Sequence, residues 1–168
     1  MPEDDFNLKN YAPVLATAYA EGANQPYEAK RHILSTIFNR AESGKAEFGA
    51  QNGKITEVLG HPGAYYSYSK QSPKFKEAMD QKFPDKLSED SYKEFMAILS
   101  GMLRGKVQRS DALFFLTPKE VERVKKTKAM NMDLLEEVDR PGAHIFYRYK
   151  TAKAVKAKPR AAASSGRK

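Results

Sequence analysis

The chain has 168 residues, 40% of them hydrophobic and 11% aromatic, enough for one globular domain with a core and too short for two. It has no cysteine, hence no disulfide frame or thiolate metal site; its three histidines are too scattered for a zinc cluster, and no run reaches the roughly 18 apolar residues of a membrane span. The net charge of +8 lies at one end: seven of the 29 basic residues fall from Lys150 onward with no acid among them, leaving 22 basic against 21 acidic side chains in residues 1–149.

The N-terminus, Met1-Pro2-Glu3-Asp4-Asp5, lacks the basic-then-apolar pattern of a signal peptide, so synthesis in a cytoplasm without export is expected. From Pro13, a residue suited to a first helical turn, Val14, Leu15, Ala18 and Tyr19 recur at helical spacing up to Gly22. Pro26 opens a longer helix with Ala29, Ile33, Leu34, Ile37, Phe38 and Ala41 on one face, ending near Ser43-Gly44; it is expected to be the central helix. Turns at Asn52-Gly53 and His61-Pro62-Gly63 bracket a short helical piece, Ile55 to Leu59, and the aromatic run Tyr65, Tyr66 and Tyr68 fits a loop or strand. A helix follows from about Ser88 to Arg104, with Phe95, Ile98, Leu99, Met102 and Leu103 inward, and Gly105 stops it. Leu113 to Leu116 is a short apolar strand, and Thr117-Pro118-Lys119-Glu120 is a capping box with proline at the first helical position. Pro141-Gly142 turns into a second strand, His144 to Tyr149, able to pair with the first. The expected fold is α+β, mostly helical, with a small antiparallel β element; the domain spans residues 1–150. Residues 151–168, rich from Lys153 in Lys, Ala, Pro, Ser and Gly, are expected to form a disordered basic tail.

Glu21 is the leading candidate for chemistry. It stands just before a glycine at the end of an apolar helix, a half-buried setting in which desolvation keeps a carboxyl protonated and available as a general acid. Glycoside cleavage needs such an acid and, depending on mechanism, a second carboxylate. Glu28 is the nearest candidate for that role; its other reading is structural, as an acid favoured by the positive end of a helix dipole. Asn39 and Arg40 either cap their helix or wall a cleft, and His144 and Tyr147 either bond backbone or touch substrate. Tyr65 and Tyr66, in a glycine-flanked loop, are candidates to present ring faces to sugars, whereas Phe114, Phe115 and Phe146 belong to the core. Neither a metal nor another cofactor is expected.

An ordered set of short blocks links these residues: Ala20-Glu21, Pro26-Tyr27-Glu28-Ala29, Ile37-Phe38-Asn39-Arg40, Pro62-Gly63-Ala64-Tyr65, Ala112-Leu113-Phe114-Phe115 and His144-Ile145-Phe146-Tyr147-Arg148. In order and approximate spacing, over roughly Leu15 to Tyr149, they resemble the spore-cortex-lytic (SleB-like) cell-wall hydrolases, which cleave the glycan strands of peptidoglycan. The resemblance implies a lysozyme-like or lytic-transglycosylase-like domain with its acid at Glu21. Two stretches depart from the family pattern: Lys30-Arg31-His32 stands where the family is small and apolar, and Phe75 to Leu87 looks like an insertion.

The expected function is therefore peptidoglycan cleavage. It would proceed as a lytic transglycosylase if the 6-hydroxyl of N-acetylmuramic acid supplies the nucleophile, and as a muramidase-like hydrolase otherwise. A single-domain wall cutter without a signal peptide fits a bacteriophage product, carried in the virion beside other virion proteins or released at lysis, and acting on the wall in the periplasm or at the envelope. The basic tail suits anionic envelope polymers or packaged DNA. The competing readings are a non-enzymatic, nucleic-acid-associated virion protein and a catalytically inactive wall-binding version of the fold.

Overall fold

In a computed structural model, described over residues 8–150, the chain forms seven α-helices and a three-stranded antiparallel sheet. The basic tail and its expected disorder lie outside the described residues. A 3-10 turn, Leu8–Tyr11, leads into α1 (Ala12–Gly22); then come α2 (Tyr27–Ser43), α3 (Ile55–Leu59), α4 (Tyr66–Ser69), α5 (Pro73–Asp80) and α6 (Lys86–Leu103). The C-terminal part runs β1 (Phe114–Leu116), α7 (Pro118–Thr127), β2 (Leu135–Asp139) and β3 (Ile145–Tyr149). The mostly helical α+β architecture expected from the sequence is present, and its two expected strands pair, with Phe114 opposite Tyr147 and Leu116 opposite Ile145.

Helix α1, not α2, occupies the centre. Val14 to Tyr19 are all buried, and α1 packs against α2, α3, α4, α5 and α6. Its alanines allow this, because small side chains let several neighbours approach one helix. Gly22 serves the same end: a Cβ there would stand 2.4 Å from Ile33 Cδ1, so any larger residue would have to displace that buried side chain.

Helix α2 is amphipathic in a different sense. Its apolar residues Ala29, Ile33, Leu34 and Ile37 join the core, while a row of polar side chains holds the segment that feeds β1. Arg31 donates to the Gln108 carbonyl at 2.7 Å, and the Ser110 amide donates to Ser35 Oγ at 3.0 Å. The Asn39 amide donates to the Ser110 and Ala112 carbonyls at 2.7 and 2.8 Å, and Arg40 Nε donates to the Leu113 carbonyl at 2.7 Å. Residues 108–113 are irregular backbone lying on the helix, so these side chains supply partners that no strand or helix provides.

Four departures from the expected elements have local causes. The run around Tyr66 forms the short helix α4 rather than a loop or strand. Helix α6 begins at Lys86 rather than Ser88, because Asp85 accepts the Ser88 amide at 2.8 Å and caps it. The presumed insertion holds α5, capped by Ser72 with Pro73 in its first turn, and buries Phe75 and Ala78 against α1. Strand β2 is additional: it pairs with β3 on the side opposite β1, with a register shift between Glu137 and Asp139. The capping box at Thr117 is formed as expected, with Glu120 Oε1 accepting the Thr117 amide at 2.8 Å and Thr117 Oγ1 accepting the Glu120 amide at 3.2 Å.

One face of the sheet packs on the helices through Phe146, and the other covers a smaller core of Leu135, Ile145 and Tyr147. The turn before β3 docks on the α1–α2 connection, where Gln25 Oε1 accepts the Ala143 amide at 2.8 Å. A Cβ on Gly142 would lie 2.9 Å from Cδ of the rigid Pro26 ring as well as 2.5 Å from that oxygen, so this close docking favours glycine. The polar row on α2 sets a stability test: Asn39→Ala should cost about 1–3 kcal/mol, because it leaves two carbonyls without their donor. Urea unfolding checks this; an unchanged midpoint would show that the row does not hold the 108–113 segment.

Candidate functional site

Glu21 ends α1 with its carboxyl half-buried, facing α4. Its Oε2 accepts a 2.7 Å hydrogen bond from Ser67 Oγ and a longer one, 3.4 Å, from the Ser67 amide. Burial raises the Glu21 pKa above the usual carboxylate range, and the negative charge of Glu120 adds to this; the Ser67 bonds and the nearby Arg40 cation pull the other way. Burial dominates. Its place at the C-terminal end of α1 acts in the same direction, since the helix dipole there disfavours an anion.

Arg40 is almost fully buried. Its guanidinium lies 5.0 to 5.3 Å from the ring centroids of Tyr65, Phe48 and Phe114, which, with the bond to Leu113, fixes a positive charge whose field reaches Glu21. Tyr65 is also buried, its hydroxyl 3.0 Å from Thr36 Oγ1 and its pKa raised by desolvation. The Tyr65 ring neighbours Phe115, with centroids 6.3 Å apart, and Phe115 meets the His144 ring edge-on at 5.1 Å. Burial lowers the His144 pKa, opposed by Glu120, and favours the neutral imidazole at neutral pH. Its Nδ1 is buried without a hydrogen-bond partner among the described residues.

The structure thus gathers Glu21, Arg40, Tyr65 and His144 around one region, and adds Ser67 and Glu120. Ser67 had no sequence signal, and Glu120 was visible only as the acid of a capping box. Tyr66, next to Ser67 along the chain, is 71% exposed and offers an open ring face. Phe115 and Phe146 pack together at 5.7 Å, in line with the expected core role of the phenylalanines.

Three expected site residues lie elsewhere or are otherwise engaged. Glu28 sits in the first turn of α2, whereas Thr36 and Arg40, which meet Tyr65, stand two and three turns further on, roughly 12 to 18 Å along the axis at 1.5 Å per residue. Glu28 pairs with Arg31 at 2.8 Å and gathers with His32 and Asp139, not with Glu21. The side-chain amide of Asn39 is committed to the Ser110 and Ala112 carbonyls. Tyr147 is one register step from Phe146, so strand alternation turns it to the opposite face of the sheet, where it is buried with Leu135 and Ile145. A separate cavity of about 730 Å³, walled in part by Gln25, Lys30, Lys74, Asp85 and Glu94, includes none of Glu21, Tyr65, Tyr66 or His144 in its lining.

The raised Glu21 pKa has a stability consequence. The native state holds this proton more tightly than the unfolded chain, so stability present below the ordinary carboxylate range is lost as pH rises through the native value. Glu21→Gln, which keeps an acceptor for Ser67, should therefore melt above the wild type at pH 7 and near it at pH 4. Thermal unfolding at the two pH values checks this; a variant less stable at pH 7 would contradict a carboxylate strained by burial.

Comparison with family models, with curated proteins and with solved structures gives no match for this chain.

Proposed function

We propose that this chain cleaves the glycan strands of peptidoglycan, with a lysozyme-like fold and Glu21 as the single acid and base. The observation that carries the reading is the Glu21 carboxyl, half-buried at a helix end, its pKa raised by burial, and held by Ser67 within the field of a fixed arginine. The resemblance of the ordered sequence blocks to the SleB-like hydrolases supports the same reading.

In this mechanism protonated Glu21 gives its proton to the glycosidic oxygen as the bond from muramic acid C1 breaks. The resulting carboxylate then takes the proton of the muramic acid 6-hydroxyl as that oxygen bonds to C1. An anhydromuramic end forms, and Glu21 returns to its protonated state. No second carboxylate is needed, which suits the commitment of Glu28 to Arg31. Arg40 favours the anionic form at the second step, and the exposed Tyr66 ring offers a stacking face for a sugar. The hydrolase reading has its own observation in Glu120, whose charge is felt at both Glu21 and His144; this acid, not Glu28, would be the second carboxylate. Delivery by a virion or release at lysis remains part of the proposal, as does attachment of the basic tail to an anionic polymer.

Loss of a general acid costs about 10² to 10⁴-fold, so Glu21→Gln should fall by at least that range in release of soluble fragments from purified sacculi. Glu28→Gln should retain activity within a few-fold. Near-normal cleavage by folded Glu21→Gln removes Glu21 from the chemistry, and an inactive Glu120→Gln that still melts normally favours the two-carboxylate hydrolase.

A further inference from the structure

Glu28 belongs to a second cluster, at the start of α2, that the Glu21 chemistry does not use. Glu28 and His32 are four residues apart, so their side chains leave one face of the helix a turn apart. Asp139, 107 positions from His32, arrives from the end of β2. One ligand atom from each of the three lies within 4.8 Å of the others, and His32 Nε2 is 3.0 Å from Asp139 Oδ2.

The imidazole is held on every side. It is only 2% exposed, its ring lies 4.8 Å from that of Phe146, and its Nδ1 is 2.8 Å from Ser110 Oγ. When Nδ1 carries the proton and donates it to Ser110, Nε2 presents a bare lone pair to Asp139. The other oxygen of Asp139, Oδ1, already accepts the Arg140 amide at 2.9 Å. With the proton on Nε2 instead, that N–H donates to Asp139 Oδ2 and the Ser110 hydroxyl donates to Nδ1; in the first tautomer the two facing lone pairs are free to share a cation. The 3.0 Å gap is close to the roughly 3.3 Å between neighbouring ligand atoms in a tetrahedral site with bonds of about 2.0 Å.

We propose that Glu28, His32 and Asp139 bind a divalent first-row metal ion such as Zn²⁺. An imidazole and two carboxylates are suitable ligands for it, their two negative charges balance it, and three protein ligands leave a position for water. Ser110 orients His32 from the outer shell and would accept its Nδ1 proton when Nε2 holds the metal. Arg31 donates to Glu28 Oε1 at 2.8 and 3.1 Å and so competes for that oxygen, while Oε2 takes no hydrogen bond among the described residues. The ion would join the first turns of α2 to the end of β2, closing the helical layer onto the sheet. The site is independent of the peptidoglycan reading.

Calorimetric titration of the EDTA-treated full-length chain with ZnCl₂, paired with thermal unfolding, tests the site. The expected result is one ion per chain and a melting temperature raised by several degrees, reversed by EDTA. Glu28→Gln, at an exposed position where the fold is retained, and Asp139→Asn should each weaken binding at least about tenfold. Absence of saturable binding and of a thermal shift would overturn the proposal and leave His32 and Asp139 as a hydrogen-bonded pair. Binding that survives both substitutions would overturn it as well, by placing the ion elsewhere.

Discussion

The structure depends on the row of polar side chains along α2 that grips the irregular segment before β1. Arg31, Ser35, Asn39 and Arg40 supply hydrogen bonds to backbone groups between Gln108 and Leu113, most of them partly buried, that no helix or strand pairs. Each such bond contributes only about 0.5–1.5 kcal/mol net, but losing a donor leaves an unpaired carbonyl, so the row acts mainly by excluding other placements of the segment. Once residues 108–113 are fixed, β1 follows, β3 pairs with it, and the turn before β3 docks on Gln25. Through that sequence of contacts Phe115, His144 and Glu120 come to the end of α1.

The same arrangement accounts for the division of labour among the acids. Among the described residues Glu21 has no basic side chain bonded to it; its partner is a neutral serine, and desolvation by burial prevails over the Arg40 charge. Glu28 is exposed at the opposite end of α2 and has an arginine partner. Environment, not proximity along the chain, makes Glu21 the carboxyl suited to hold a proton.

Much of the helical layer was legible because apolar residues recur at helical spacing in α1, α2 and α6, and because the Thr117 capping box has a mechanism independent of tertiary context. The strands β1 and β3 were visible as short apolar or alternating runs. Strand β2 was not, since Leu135-Glu136-Glu137-Val138-Asp139 is mostly acidic and buries only Leu135 on a sheet edge. Helix α5 had a readable start at Ser72-Pro73, but its charged sequence masked the two residues it buries. In the site, Glu21 was legible from its helix-end setting, whereas Ser67 carries no pattern of its own. Asn39, taken as a cleft candidate, is consumed by backbone contacts that only the folded chain creates. The His32 cluster carries no sequence signal, because it arises where one histidine meets a helical neighbour and an aspartate 107 residues away.

The central claim concerns the bond broken and the fate of the muramic acid residue. Mass spectrometry of soluble fragments released from purified sacculi reads both at once. The account predicts muropeptides ending in 1,6-anhydromuramic acid, about 18 Da lighter than their hydrated counterparts by the loss of one water, as a substrate-assisted single-acid mechanism requires. Reducing ends would contradict the single-carboxylate chemistry, and the absence of any released fragment would contradict peptidoglycan cleavage itself.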